Sequence, residues 1–490
     1  MHGFIQLANA NKLYIRELYK KMANEPTHVV QSTEIATACV CPFLFKLSYP
    51  FGVVGGERDY LIANTVHDIM SLATPTTILD NWQYGVKDFE AIAGSIIKDS
   101  ANIIEKCVAN AIDVAKRDGR DSSILDTFEN EVQDRFHGLL VGLAKRVMKK
   151  HPQPVRAVTE ITITNIRNVQ EGRIDAILEY DNDCYGIIDW KSNEVNSVVT
   201  GGRKDAWQII ANMFLANYRY TGDEDNWSKC CFGAVVYNDG AYMPRLPISE
   251  RIINKVKIDR NFAHQVLCGG TPYAEKPVVC PVCDRDGESA SDCRFYREDT
   301  RSANLGVFPE NYDKIRKLLI KRRYLVLKER GETHRHKFVL HTATENLGEE
   351  AGLEELERAG VIHTGYKAKS IDDRSVTLSR ENIRTFLEPR KVIRIIGNEH
   401  KNHVNDIPIL ACISEKGMVK QVNGKEVTID LPTTIAVERA RLHLLDLPLT
   451  IVPDEINLTR RVLEPMHRFH RLAADLILHD ENNSEFIGHE

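Results

Sequence analysis

The stretch that decides the fold runs over residues 155–191, VRAVTEITITNIRNVQEGRIDAILEYDNDCYGIIDWK. It contains β-rich segments of strand length, VRAVTEITITNI, GRIDAILEY and CYGIIDWKS, with the turn-forming residues Asn165, Asn168, Gly172, Asp181, Asn182 and Asp183 between them. Three consecutive strands predict a meander. Downstream, a helix is expected at about 204–220, then a strand CFGAVVYN, a turn at Asn238-Asp239-Gly240, a strand AYMPRLPI and a helix near 249–267. Upstream, helical periodicity covers 3–24, a segment starting near Ser32 and carrying CPFLFKLSY, with Ser32 or Thr33 as its cap, 57–72 and, after a loop with Pro75, about 86–150. Helices, three strands, a helix and a strand make a mixed α/β core.

Within that core, Asp189 and Lys191 lie two apart on one strand and so share a face, while Trp190 between them points away. Ile187 and Ile188 place the pair at the end of a buried strand, and Asp175 on the neighbouring strand faces Asp189 across the meander. Two carboxylates and an ammonium at one spot suit phosphodiester hydrolysis, which needs hard oxygen ligands for Mg²⁺ or Mn²⁺, an activated water and a cation for the charge developing on phosphorus. Taken alone, an Asp-x-Lys triplet at a strand end is a weak signal and reads more simply as a solvated or paired surface group.

The chain order His67, Glu160, Asp175, Asp189-x-Lys191 and Gln208 resembles the RecB-like branch of the PD-(D/E)XK nucleases. By that resemblance, His67 in ANTVHDIM is a metal ligand, Asp175 and Asp189 are the metal-binding carboxylates, and Lys191 is the catalytic lysine. Glu160 takes a secondary place in the site. Gln208 in AWQIIANMF matches the glutamine of the branch's QxxxY motif. Asn212 stands where that motif has tyrosine, and Asn64 where a glycine commonly precedes the histidine.

Cys280-Pro-Val-Cys283 has the spacing of a metal knuckle, with Cys293 further on, inside a polar segment at 270–300 that has no core of its own. Cys41 in CPFLF resembles the Cys-Pro-x-x-Phe segment of the iron–sulfur subset of the same branch, which includes CRISPR-adaptation exonucleases and end-resection nuclease subunits. The resemblance implies a [4Fe–4S] cluster on Cys41, Cys280, Cys283 and Cys293; on spacing alone, zinc suits the same thiolates. Cys39 is the competitor to Cys41 and lacks the Pro-x-x-Phe context.

Beyond residue 300 the sequence predicts a basic linker helix at 301–335, a small β-barrel at 336–452 interrupted by an acidic helix at 348–359, and a C-terminal helix and tail at 453–490. The expected organisation is an N-terminal helix at 1–29, a PD-(D/E)XK nuclease domain at 30–300, and this accessory third. The basic stretch KIRKLLIKRRYLVLKER reads equally as a local stripe for phosphates and as a solvated helix joining two domains, against a net charge of -5 for the whole chain. No G-x-x-x-x-G-K-[ST] phosphate-binding loop is present, so any duplex unwinding is assigned to a separate helicase or ATPase partner. The N-terminus does not read as a signal peptide, no apolar run is long enough for a membrane span, and the eleven cysteines are an odd number. These features point to a cytoplasmic protein acting on single-stranded DNA ends or flaps. The alternatives are a nuclease subunit of a repair or antiphage-defence complex, and a catalytically silent DNA clamp.

Overall fold

Alternation of buried and half-buried residues along 156–191 builds the centre of the molecule. In the computed structural model, which describes residues 14–15, 17–18, 20–22, 27–40, 57–117, 127–192, 201–238, 240–268, 331, 334–381, 387–397, 411–444 and 446–453, β2 (Arg156–Asn165), β3 (Gln170–Glu179) and β4 (Tyr185–Lys191) pair antiparallel in chain order. Helix α6 (Gly201–Thr221) then crosses over to β5 (Cys230–Tyr237), which runs parallel to β4, and β6 (Gly240–Tyr242) closes that edge. A short β1 (Val30–Gln31) lies parallel to the start of β3.

The two sheet faces carry different helices. One packs against α1 (Ser32–Val40), α6 and α7 (Glu250–Leu267), burying Ile161, Ile174, Ile187, Met213 and Phe214. The other packs against α2 (Glu57–Ala73) and α5 (Phe128–Leu143), with α3 (Phe89–Asp99) and α4 (Ala101–Arg117) layered on them, burying Ala176, Ile188, Trp190 and Phe136. Covered on both faces, β4 is buried throughout apart from its last residue, which is why it reads as an apolar run rather than an alternating one.

The last third contains a closed six-stranded barrel of β7 (His363–Ile371), β8 (Ser375–Ser379), β9 (Val392–Gly397), β11 (Ser414–Asn423), β12 (Glu426–Asp430) and β13 (Leu449–Pro453). Its β11–β12 hairpin turns through Gly424, whose φ of 54° suits a residue with no Cβ. Immediately before β11, β10 (Ala411–Cys412) leaves the barrel and pairs with β2, so one continuous segment belongs to both sheets. The barrel is therefore built onto the edge of the central sheet rather than hung from a linker.

Several sequence expectations are corrected. Pro75 does not sit in a loop: α2 continues through it as a π-helical turn, Thr74–Ile78. Proline has no N–H for the Ser71 carbonyl one turn back, and Thr159 of β2 donates its hydroxyl to that oxygen instead, at 2.8 Å. Ser32 does not cap α1; its side chain is buried, and the Glu34 carboxylate accepts the Gln31 N–H at 2.7 Å. The strand expected over AYMPRLPI ends at Tyr242. The barrel does not begin at 336: residues 334–347 are helical and lead into α8 (Glu349–Arg358). Inside the barrel segment, α9 (Thr434–His443) was not anticipated. The 270–300 segment, the basic stretch at 310–330 and the helix expected at 456–478 lie outside the described residues.

Candidate active site

β2 and β3 lose their alternation in the same row. Val158 and Ile161, three apart, both enter the core beneath α6, as do Ile174 and Ile177; residues an odd number apart reach one face only where a strand is distorted. On β2 the distortion is at Glu160, which has φ 59°. A left-handed conformation at a non-glycine strand residue costs about 1–3 kcal/mol and persists only where its surroundings enforce it. Thr159, bonded to both Ser71 O and His443 Nε2, anchors the residue before the bend.

The register then sets three carboxylates in line. Thr159 pairs with Ala176 and Ile161 with Ile174, which leaves Glu160 opposite Asp175. Ala176 pairs with Ile188, which leaves Asp175 opposite Asp189. From α2, His67 reaches the same place. One ligand atom each from His67, Glu160 and Asp175 lie within 4.8 Å of one another, with His67 Nδ1 at 3.9 Å from Asp175 Oδ2. Asp175 also accepts the Trp190 backbone N–H at 2.8 Å, which ties it to β4.

Asp189, only 1% exposed, is held on both oxygens: Gln208 Nε2 donates to Oδ1 at 2.8 Å, and Lys191 Nζ lies 2.6 Å from Oδ2. Burial raises the Asp189 carboxyl to about 6; Lys191 opposes the rise and Asp175 adds to it. Burial works against the charge on Lys191, but the carboxylates of Asp189, Asp175 and Asp205 outweigh it and hold the ammonium protonated. Burial is also the main reason that Glu160 is pushed up to about 7, with Arg173 opposing and Asp175 reinforcing the rise.

All six sequence-predicted residues of this set thus reach one end of the sheet, with a changed division of roles. Glu160, assigned a secondary place by the sequence, stands in the cation-sized group. Asp189, expected as a metal ligand, is outside that group and is engaged by Gln208 and Lys191. Asn212, in the place of the motif tyrosine, is fully buried. A Cβ added at Gly172 would stand 2.8 Å from Asn212 Oδ1 and 2.5 Å from Ser32 Oγ, so α6, α1 and β3 converge there too tightly for a larger side chain.

Sequence reasoning missed three neighbours. Asp205 adds charge beside Lys191 and accepts the Tyr237 hydroxyl at 3.0 Å. Arg173, on β3 two residues before Asp175, forms an ion pair with Glu160. Arg439 of α9 reaches out of the barrel segment to Asp68, beside His67, at 2.8 Å and to Glu415 at 2.7 Å. The period-two spacing of Arg173 and Asp175 was the one signal available for any of them.

Cys41, Cys280, Cys283 and Cys293 lie outside the described residues. Cys39 is buried, and burial pushes its thiol well above the ordinary value, with Asp259 adding to the rise. Among the described residues no helix is long and apolar enough to cross a membrane. Comparison of the chain with protein-family models, curated proteins and solved structures gives no match.

Proposed function

We propose that this chain is a divalent-metal-dependent nuclease of the PD-(D/E)XK type that hydrolyses single-stranded DNA at ends or flaps. The observation that carries the reading is the row Glu160, Asp175 and Asp189 across three adjacent strands, with His67 above it and Lys191 beside it. Like charges facing one another on neighbouring strands are unfavourable, and a strained, buried glutamate adds to the cost. A cation at this point offsets both.

The donor set fits Mg²⁺ or Mn²⁺: carboxylate oxygens with one imidazole, gathered within a single coordination sphere. Bound there, the metal supplies a Lewis acid and lowers the pKa of a coordinated water. The chain's own residues do the rest. His67, Glu160 and Asp175 hold and orient the cation. Asp189, fixed by Gln208, aims the Lys191 ammonium. The neighbouring carboxylates favour the charged form of Lys191, which suits it to orient the attacking water and to stabilise charge on the phosphoryl oxygens.

The accessory third supports the same reading. β10 extends the central sheet, and α9 braces α2 and β2 through Arg439 and His443, so the barrel fixes the geometry of the site. We assign the [4Fe–4S] cluster to Cys41, Cys280, Cys283 and Cys293, with Cys41 preferred to Cys39 for its Pro-x-x-Phe context. A separate motor protein and a cytoplasmic setting complete the proposal.

The deciding experiment incubates anaerobically purified protein with end-labelled single-stranded DNA and Mn²⁺, beside the Asp189→Ala variant. Cleavage by the native chain alone is the expected result. Equal turnover by Asp189→Ala, or no cleavage by either protein, would refute the assignment.

A further inference from the structure

Glu160 has two suitors. The metal set requires its carboxylate, yet Arg173 on the adjacent strand forms an ion pair with it. The two residues differ in setting: the Glu160 side chain is 12% exposed, whereas Arg173 is 58% exposed. The Arg173 side chain is therefore more than half in solvent while its Nε faces the buried carboxylate. Its position is fixed by β3, where Ile174 is buried beside it and Asp175 follows, and its strand partner is Thr162.

A carboxylate oxygen that accepts an arginine N–H offers less to a cation, and a guanidinium beside a divalent cation is repelled by it. Once Glu160 turns to a metal, Arg173 loses its partner while remaining within side-chain reach of whatever the metal binds. A planar guanidinium with fork geometry suits a phosphate.

We propose that Arg173 is an exchange latch. It holds Glu160 until a divalent cation takes that carboxylate, and it then grips a backbone phosphate of the strand next to the scissile bond. The phosphate half rests on the nuclease reading given above; the metal half stands without it. The latch makes cation and strand bind cooperatively, each raising the other's affinity by the same factor.

The test uses Arg173→Gln in the full-length protein, and Arg173→Lys as the variant that keeps the charge without the fork. Both changes are made at a largely exposed position, which leaves the core untouched. Mn²⁺ binding without DNA is measured by the loss of free-ion electron paramagnetic resonance signal, with His67→Ala marking the site's own contribution. Strand binding is measured with Mn²⁺ present by fluorescence anisotropy of a labelled oligonucleotide, in an Asp189→Ala background so that the strand survives.

Opposite signs are expected. Arg173→Gln should bind Mn²⁺ about fivefold more tightly. It should bind the strand about tenfold more weakly, with the slope of log affinity against log salt reduced by about one. Arg173→Lys should keep the slope. A merely structural arginine would weaken both, so Mn²⁺ affinity that falls or stays unchanged in Arg173→Gln overturns the latch, as does unchanged strand affinity. Tighter Mn²⁺ binding together with no strand affinity in any of the proteins would sustain the metal half and overturn the nuclease reading.

Discussion

Glu160→Gln should make the protein more stable in the absence of metal and unable to gain from it. The carboxyl, ordinarily near 4.5, is pushed up to about 7 by burial, against the pull of Arg173. A raised carboxylate pKa means that the native state holds its proton where the unfolded chain has released it. The associated stability is fully present below about pH 4.5 and is lost as pH rises through about 7. At about 1.4 kcal/mol per pH unit, ionising Glu160 in the folded protein costs on the order of 3 kcal/mol at pH 7.5. The pull of Arg173 is already contained in that cost, so the net gain is about 3 kcal/mol, or about 6–12 °C in the melting temperature of a domain of this size. Scanning calorimetry in EDTA at about pH 7.5 and about pH 5 separates this from a general effect, because the native carboxyl is largely protonated at the lower pH and the increment should shrink there. With Mn²⁺ at about 100 times its dissociation constant, the native protein should recover about 2.7 kcal/mol and Glu160→Gln almost none. An increment that is the same at both pH values, or a variant no more stable than the native protein at pH 7.5, would refute the reasoning.

Alanine at Asp175 or Lys191 should abolish cleavage of end-labelled single strands while circular dichroism stays native; either variant turning over normally would remove its residue from the site. Arg439→Met strands the carboxylates of Asp68 and Glu415; breaking a buried pair costs about 3–5 kcal/mol, reduced here to about 2–3 by the partial exposure of Asp68. Chemical denaturation should register that loss, together with weaker Mn²⁺ binding through α2, and a change below about 0.5 kcal/mol would show that the brace is idle. Protein isolated without oxygen should be brown, with about four irons per chain; Cys41→Ser should bleach it and Cys107→Ser should not, whereas stoichiometric zinc without iron would exclude the cluster. Finally, the isolated chain should degrade single strands and frayed ends but stall on long blunt duplex with or without ATP, since each base-pair step costs roughly 1.4 kcal/mol of stacking; ATP-stimulated digestion of blunt duplex would contradict this.

What the sequence made legible follows from periodicity. Residues 155–191 alternate, break at turn formers and regain apolar character, so the meander and the shared face of Asp189 and Lys191 could be read directly. The barrel strands were visible for the same reason, as in the β11–β12 hairpin around Gly424. What escaped was tertiary. A left-handed backbone leaves a sequence mark when glycine or asparagine occupies it, and Glu160 is neither, so the bend that swings its carboxylate toward His67 had no signature. Pro75 looked like a break because the hydroxyl that repairs it belongs to Thr159, far along the chain.

These two hidden features are one device. The carbonyl left without a partner by Pro75 is bonded by Thr159, the residue just before the bend at Glu160, and Thr159 is in turn held by His443 at the end of α9. Arg439, one turn earlier on α9, reaches Asp68, the neighbour of His67. Two of the three residues that form the cation-sized group therefore take their positions from a helix more than 270 residues away in sequence, carried by the barrel segment. The accessory third is, on this geometry, as much a part of the candidate site as the strands that display its carboxylates.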